Sequence, residues 1–292
     1  MSMPIETIME ETELERAGFV WREKEGVRAV VCAPLEAEGF ANAFSTRAGG
    51  VSPMPHDALN LAGFDDDTAE NIYENRRRFL RIFDGAWTLA ACWQVHGTNV
   101  RVVRTADDAR GVAGAHGENE RCDALTTDAA RVLLGVKTAD CVPVLLGDSR
   151  TGACASVHAG WRGTLESIVG RALETMREEY GTRAADVRAA IGPAANGCCY
   201  EVGAEVIESF RQKFKTADKL FTPTREGHAL VNLQRANFEQ LVEAGVADER
   251  IHTLPLCTIC RTDLFFSYRR EKQLYGRTGR LLSVIGKAEV RG

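Results

Sequence analysis

A chain of 292 residues with 45% hydrophobic and 26% charged residues can bury a large core, and its length allows one big domain or two small ones. Its net charge of -5, with no basic run longer than Arg76-Arg77-Arg78, argues against nucleic acid as the main partner, and no apolar run is long enough to span a bilayer. The acidic start MSMPIETIMEETELERAG is unlike a signal peptide and nine scattered cysteines do not form a disulfide framework, so a cytoplasmic protein with reduced thiols and no membrane partner is expected.

In chain order, residues 1–25 read as a peripheral N-terminal helix and turn, and residues 26–292 as a single domain with no repeat and no clear linker. Val27 to Cys32 and Phe40 to Ser45 are strand-like. The second leads into Thr46-Arg47-Ala48-Gly49-Gly50, where a Gly-Gly turn could bring backbone amides to a ligand and Arg47 could grip phosphate or carboxylate; a tight turn with a surface arginine is the plainer reading. Asp67 to Glu70 has the form of a capping box before an amphipathic helix through Ile72, Phe79, Leu80 and Phe83. Thr88 to Trp93 and Asn99 to Arg104 follow as strands, broken by Gln94-Val95-His96-Gly97, where the glycine marks a kink that aims His96 toward a cleft or leaves it a structural histidine. Ala106 to Glu120, with His116, reads as a mobile loop, a lid or plain surface.

The centre of the chain is Lys137 to Gly163, KTADCVPVLLGDSRTGACASVHAGWRG. Arg131 to Val136, Val142 to Gly147 and Ala153 to Val157 predict buried strands. If the Asp148 to Gly152 turn pairs the last two antiparallel, Cys141 before one meets His158 after the other. Thr164 is expected to cap a helix through Ile168, Leu173 and Met176, whose positive end would favour an anion near His158. Beyond it lie a short strand, Val187 to Ile191, a Gly/Pro loop to Tyr200, and helices at Ala204 to Phe214 and Asn232 to Ala244. The adjacent Cys198 and Cys199 are expected to be buried as small apolar residues, and Cys257-Thr-Ile-Cys260 lacks the second pair that a structural zinc site needs. Phe265 to Arg270, FFSYRR, stacks a flat ring or pins the terminal strand Leu281 to Ile285.

Two histidines and a cysteine suit zinc, and three protein ligands leave one position for water or substrate. The same residues without metal would make Cys141 a nucleophile, His158 its base and Asp140 or Asp123 a partner. A multinuclear copper centre is disfavoured, because the chain has only six histidines, several in loops.

The motifs AFSTRAGGVS at Ala43 to Ser52, Asn60-Leu61, QVHG, DALTTD at Asp123 to Asp128, TADCVPVLL, VHAGWRGT, IGP with CCYEVG, and FFSYRR with TGR closely resemble the YfiH or laccase-domain family. This family is also called multicopper polyphenol oxidoreductase and contains FAMIN-like purine nucleoside phosphorylases. The resemblance runs from about Ala41 to Ile285. It implies an α+β fold, a single-domain α/β/β/α sandwich with helices outside two mixed β-sheets, and a cleft zinc held by His96, Cys141 and His158. It also implies phosphorolysis of adenosine, inosine, guanosine and methylthioadenosine, and deamination of adenosine. Family members are otherwise described as polyphenol oxidases, which would take copper, or as peptidoglycan-editing enzymes.

For phosphorolysis, Arg47 and the amides near Gly49 and Gly163 would hold phosphate, with Asn60, Gln94 and Arg162 in the substrate-facing set. For deamination, zinc would activate water; no Glu follows His158, so Asp140 or Asp123 would carry the proton, the alternative for both being turn chemistry at strand ends. Small departures, Ala194-Ala195-Asn196 where many relatives have Cys or Ile and a Cys257/Cys260 pair found only in some, bear on substrate preference. The partners implied are a purine nucleoside and phosphate, with the chain a monomer or weak homodimer.

Overall fold

Short runs of β-branched and aromatic residues closed by Gly, Asp and Ser make this chain mostly strand at its centre. A computed structural model describes residues 5–54, 58–62, 66–112 and 121–288. Among these the strands are, in order, β1 (Phe19–Lys24), β2 (Val27–Cys32), β3 (Phe40–Ser45), β4 (Thr88–Ala91), β5 (Val100–Val102), β6 (Ala124–Thr127), β7 (Val132–Thr138), β8 (Val142–Asp148), β9 (Cys154–Ala159), β10 (Val187–Ile191), β11 (Glu201–Gly203), β12 (Phe221–Pro223), β13 (His228–Val231), β14 (Ile251–Thr253) and β15 (Leu281–Lys287). They form one six-stranded sheet in the order β1-β2-β3-β15-β7-β4, a second in the order β14-β10-β8-β9-β6-β5, and a small third, β11-β13-β12. Both large sheets are mixed: β4 runs parallel to β7, and β5 to β6, while the central pairs are antiparallel.

The side-chain period of two sorts the central strands between layers. In β8 every residue is buried; Leu145 faces the core between the two sheets with Phe44, Leu134 and Ile285, whereas Val142, Val144 and Leu146 face helices on the outside. In β15, Leu281 and Ile285 point inward, while Leu282 and Val284 join Phe79 and Phe83 under the helix Ala69–Leu80. Helices thus cover both outer faces, the α/β/β/α layering expected. Thr68 caps the first of these helices, accepting from the Asn71 amide.

Several local expectations are corrected. Residues 19–24 of the segment expected to be peripheral are not so: β1 pairs along its whole length with β2, and Phe19 is fully buried against Phe44 at a ring separation of 6.2 Å. The expected loop from Ala106 begins as a helix, Ala106–Val112, and His116 lies outside the described residues. Thr164 does not cap a long helix. The chain instead makes a five-residue turn of helix, Trp161–Leu165, breaks at Ser167 with φ of 56°, and restarts as Ile168–Tyr180. The FFSYRR run ends in a helix, Tyr268–Tyr275, capped by Ser267, whose side chain accepts from the Arg270 amide.

Because Phe19 lies between the sheets, Phe19→Ala is expected to cost about 3–5 kcal/mol in urea unfolding. A cost below about 1 kcal/mol would show that β1 is an accessory edge.

Candidate metal and catalytic site

The site forms where β8 begins and β9 ends. Antiparallel register sets Val142 against Ala159 and Pro143 against His158. Cys141, one residue before β8, therefore reaches His158 at the same rim, and the ligand atoms of His96, Cys141 and His158 lie within 4.8 Å of one another.

His96 arrives from the other direction, on the segment joining β4 of one sheet to β5 of the other. Its backbone sits in the left-handed region at φ of 59°, which costs a non-glycine residue about 1–3 kcal/mol unless neighbours hold it. The hold comes from Asp123, fully buried. Its Oδ2 accepts from the Val95 amide at 3.3 Å and the Gly97 amide at 2.7 Å, and its Oδ1 from the His96 amide at 2.9 Å. The same Oδ1 accepts from His158 Nδ1 at 2.8 Å. Gln94 adds a second anchor, its side-chain amide exchanging two 2.7 Å hydrogen bonds with the Lys137 backbone.

With Nδ1 committed to Asp123, His158 presents Nε2 to the site. The His96 and His158 rings meet edge to face at 4.9 Å, and His96 Nε2 lies 3.8 Å from Cys141 Sγ. A tetrahedral zinc with bonds of about 2.1 Å to nitrogen and 2.3 Å to sulfur needs a separation of about 3.6 Å, so the residues present fit that ion. His158 is buried, Cys141 half-buried and His96 exposed, which leaves the site open on the His96 side. Gly160 closes the floor: a Cβ there would lie 2.9 Å from His96 Cδ2 and 3.2 Å from Cys141 Sγ.

Before any metal binds, these groups act as an ion pair. Burial alone would raise the Cys141 thiol, but His158 and His96 outweigh it and bring it down to about 6; His158, against burial, is lifted to about 9 by Cys141 and Asp123. Burial would also raise Asp123, yet the His158 hydrogen bond and the loop amides hold it below the usual carboxylate range.

Asp123 thus positions the His96 loop and the His158 ring, and all four of these donors already occupy the oxygens that a proton carrier would use. Asp140 differs in environment but not in commitment. Burial raises its carboxyl, while Oδ1 accepts from Thr258 Oγ1 at 2.7 Å and Oδ2 from the Arg269 amide at 2.6 Å. Its backbone, at φ of 93°, delivers the chain into Cys141.

The expected phosphate set divides. The Arg47 guanidinium is consumed inside the protein by Glu271 at 2.7 Å and by the carbonyls of Thr262 and Met54, with Phe266 under its face. Gly49, at φ of 90°, lets the chain pack on the β1–β2 turn, where a Cβ would lie 2.3 Å from the Gly26 oxygen. Asn60 is buried and bonds Asp67 and the Arg280 amide. The side chains of Arg47, Asn60 and Gln94 are thus engaged within the protein, and Gly49 serves a close backbone approach. Gly163 packs under the His96 loop, 3.3 Å from the Gly97 oxygen to a built Cβ, and one turn of helix has little dipole to offer an anion. Arg162 is exposed and stacked over Trp161 directly after Gly160.

Residue reasoning missed Gly160, Thr258, Tyr200 and Arg269. Tyr200 sits close enough to Cys141 for the thiolate, after burial, to raise its phenol, and Arg269 lies over its ring at 4.9 Å. The FFSYRR and CCYEVG runs were the signal, but nothing local joins them to Cys141. Two clefts, of about 390 and 620 Å³, lie elsewhere and share no lining residue with the His96 trio.

A family model described as multi-copper polyphenol oxidoreductase laccase matches residues 41–288. Among curated proteins, the chain is 34% identical over 262 residues to purine nucleoside phosphorylase YlmD of Geobacillus stearothermophilus, covering 88% of this chain and 94% of that one. It is 40% identical over 247 residues to a purine nucleoside phosphorylase of Deinococcus radiodurans, covering 84% and 88%. Among solved structures, Bacillus licheniformis hypothetical protein YfiH superimposes with a TM-score of 0.84 at 31% identity, over 91% of this chain and 98% of that one.

Two outcomes are expected. Asp123→Asn should weaken zinc binding about 10–100-fold in a competitive chelator titration, since the amide cannot hold both His158 and the loop amides; unchanged affinity would remove its positioning role. Arg47→Ala should lose about 3–5 kcal/mol of stability in urea unfolding by stranding buried Glu271, and a loss below about 1 kcal/mol would show that the pair is not structural.

Proposed function

The chain belongs to the multi-copper polyphenol oxidoreductase laccase family, and on that footing we propose that it is a zinc-dependent purine nucleoside phosphorylase acting on adenosine, inosine, guanosine and methylthioadenosine. The observation that carries this reading is the half-open trio of His96, Cys141 and His158. The name shared by its curated relatives supports the substrate class.

In this reaction a phosphate oxygen forms a bond to the ribose anomeric carbon while the bond to the purine nitrogen breaks. The departing pair stays on the base, which takes up a proton, and ribose 1-phosphate remains. Charge builds positively on the sugar and negatively on the base, so the catalyst's task is to hold phosphate on one face and stabilise the leaving purine. His96, Cys141 and His158 would hold the zinc, which when bound supplies Lewis-acid stabilisation of developing negative charge. Asp123 keeps His158 in the tautomer that leaves Nε2 for this task. Arg162 and Arg269, both exposed guanidinium groups near the rim, are the phosphate contacts that replace Arg47.

Adenosine deamination is the lesser activity in this proposal. It needs a proton carrier, and both oxygens of Asp123 and of Asp140 are already held by donors. Copper oxidase chemistry needs a multinuclear centre, and among the described residues the two imidazoles and one thiolate of this site serve one ion.

A second reading has one observation in its favour: Cys141, His158 and Asp123 also line up as nucleophile, base and the carboxylate that orients the base in a cysteine hydrolase. Inosine assays separate the two. Hypoxanthine release should require phosphate, fall at least about 100-fold in Cys141→Ser, and stop on chelation. Arg162→Ala should raise KM for phosphate about ten-fold, the loss of one charge-assisted hydrogen bond. Release without phosphate, or turnover that survives chelation but not thiol alkylation, would favour the hydrolase.

A further inference from the structure

Cys198 and Cys199, expected to be buried as small apolar residues, are exposed and half-buried, and only in a strand would their adjacent side chains point to opposite faces. At Cys198 and Cys199 the chain is not a strand. The Cys199 and Tyr200 amides both donate to the Asn196 carbonyl at 2.9 Å, closing a helical turn that brings neighbouring side chains to one side. Across from it, Cys257 and Cys260 sit on another turn, closed by the Arg261 amide on the Cys257 carbonyl at 3.0 Å. The four sulfurs gather within 4.8 Å of one another, although the pairs are some sixty residues apart, with Cys198 to Cys260 at 3.5 Å and Cys199 to Cys260 at 3.0 Å.

We propose that Cys198, Cys199, Cys257 and Cys260 form a second metal site, a four-thiolate structural centre for zinc that is separate from the His96, Cys141, His158 site. Four thiolates at about 2.3 Å from a tetrahedral ion stand about 3.8 Å apart, close to the spacing these sulfurs already have. Without an ion, four such sulfurs would have to stay protonated in van der Waals contact. With one, the thiols release their protons and the negative charge is held by the cation. All protein positions of the ion are filled, so the centre offers no place for substrate.

Its consequence is structural, and it reaches the catalytic rim. The two turns are joined by the Ala194–Cys257 bridge and by the Thr258 amide on the Ala194 carbonyl at 3.0 Å. The Ala195 amide donates to the Asp140 carbonyl at 2.8 Å, and Thr258 Oγ1 to the Asp140 carboxylate at 2.7 Å. A metal that clamps the turns therefore fixes both supports of the strained residue before Cys141. Pairing a turn-borne Cys-Cys with a distant Cys-x-x-Cys needs no second Cys-x-x-Cys, which is why the motif arithmetic overlooked it.

The test uses the full chain, purified without a histidine tag, as Cys141→Ser. That change removes a ligand of the catalytic trio and leaves all four proposed ligands native, so the result does not depend on the phosphorylase reading. Elemental analysis should find one zinc per chain in Cys141→Ser and none when Cys257→Ser and Cys260→Ser are added. Cobalt exchanged into Cys141→Ser should show the intense charge-transfer absorption of a four-sulfur tetrahedral site. Alkylation of the folded protein should spare the four thiols until a chelator is added. Cys141→Ser that retains no zinc, or whose four thiols are alkylated freely, overturns the proposal. So does a disulfide among the four in protein kept under reductant, detected by the mass of the unfolded, alkylated chain.

Discussion

The buried carboxylate of Asp123 gathers the amides of Val95, His96 and Gly97 and the ring of His158 on its two oxygens. Each of these donors would otherwise face a different fate: the loop amides have no strand to pair with, and a buried imidazole would titrate freely. By binding them together, one anion converts a crossing between two sheets into a fixed support for His96 and sets the tautomer of His158. Cys141 enters the same point from β8, and Gly160 leaves the space that all three side chains need.

This arrangement explains why so many residues around the site carry structure rather than chemistry. Arg47, Asn60, Gln94 and Asp140 are polar and lie in motifs that suggest substrate contact, yet each is hydrogen-bonded to backbone groups of other segments, and Arg47, Asn60 and Asp140 to side chains as well. A reactive rim built from several chain segments leaves amides and carbonyls outside regular ladders, and side chains must satisfy them. What remains exposed for a ligand is a short set, with His96, Arg162 and Arg269 foremost.

The four-cysteine cluster extends the same logic to the opposite side of Asp140. The loops that follow β10 and β14 are irregular, and they carry the contacts to Asp140 that the sheet does not supply. An ion at Cys198, Cys199, Cys257 and Cys260 would give those loops the rigidity that hydrogen bonds alone lend only in part. One protein would then use zinc chemistry twice, with an open coordination sphere at the rim and a closed one beneath it.

By itself the sequence determined the strands around Lys137 to Gly163, their antiparallel pairing, and the meeting of Cys141 with His158, because a tight turn between two apolar runs leaves the chain almost no other register. It also placed His96 among the candidates, through the glycine that follows it. Only the tertiary structure decided which polar groups serve each other. Asp123 as the organiser, Arg47 as the partner of Glu271, and the union of a Cys-Cys turn with a distant Cys-x-x-Cys all depend on contacts between segments far apart in the chain. Side-chain hydrogen bonds and thiol clusters of this kind have no period along a sequence, so nothing local can announce them.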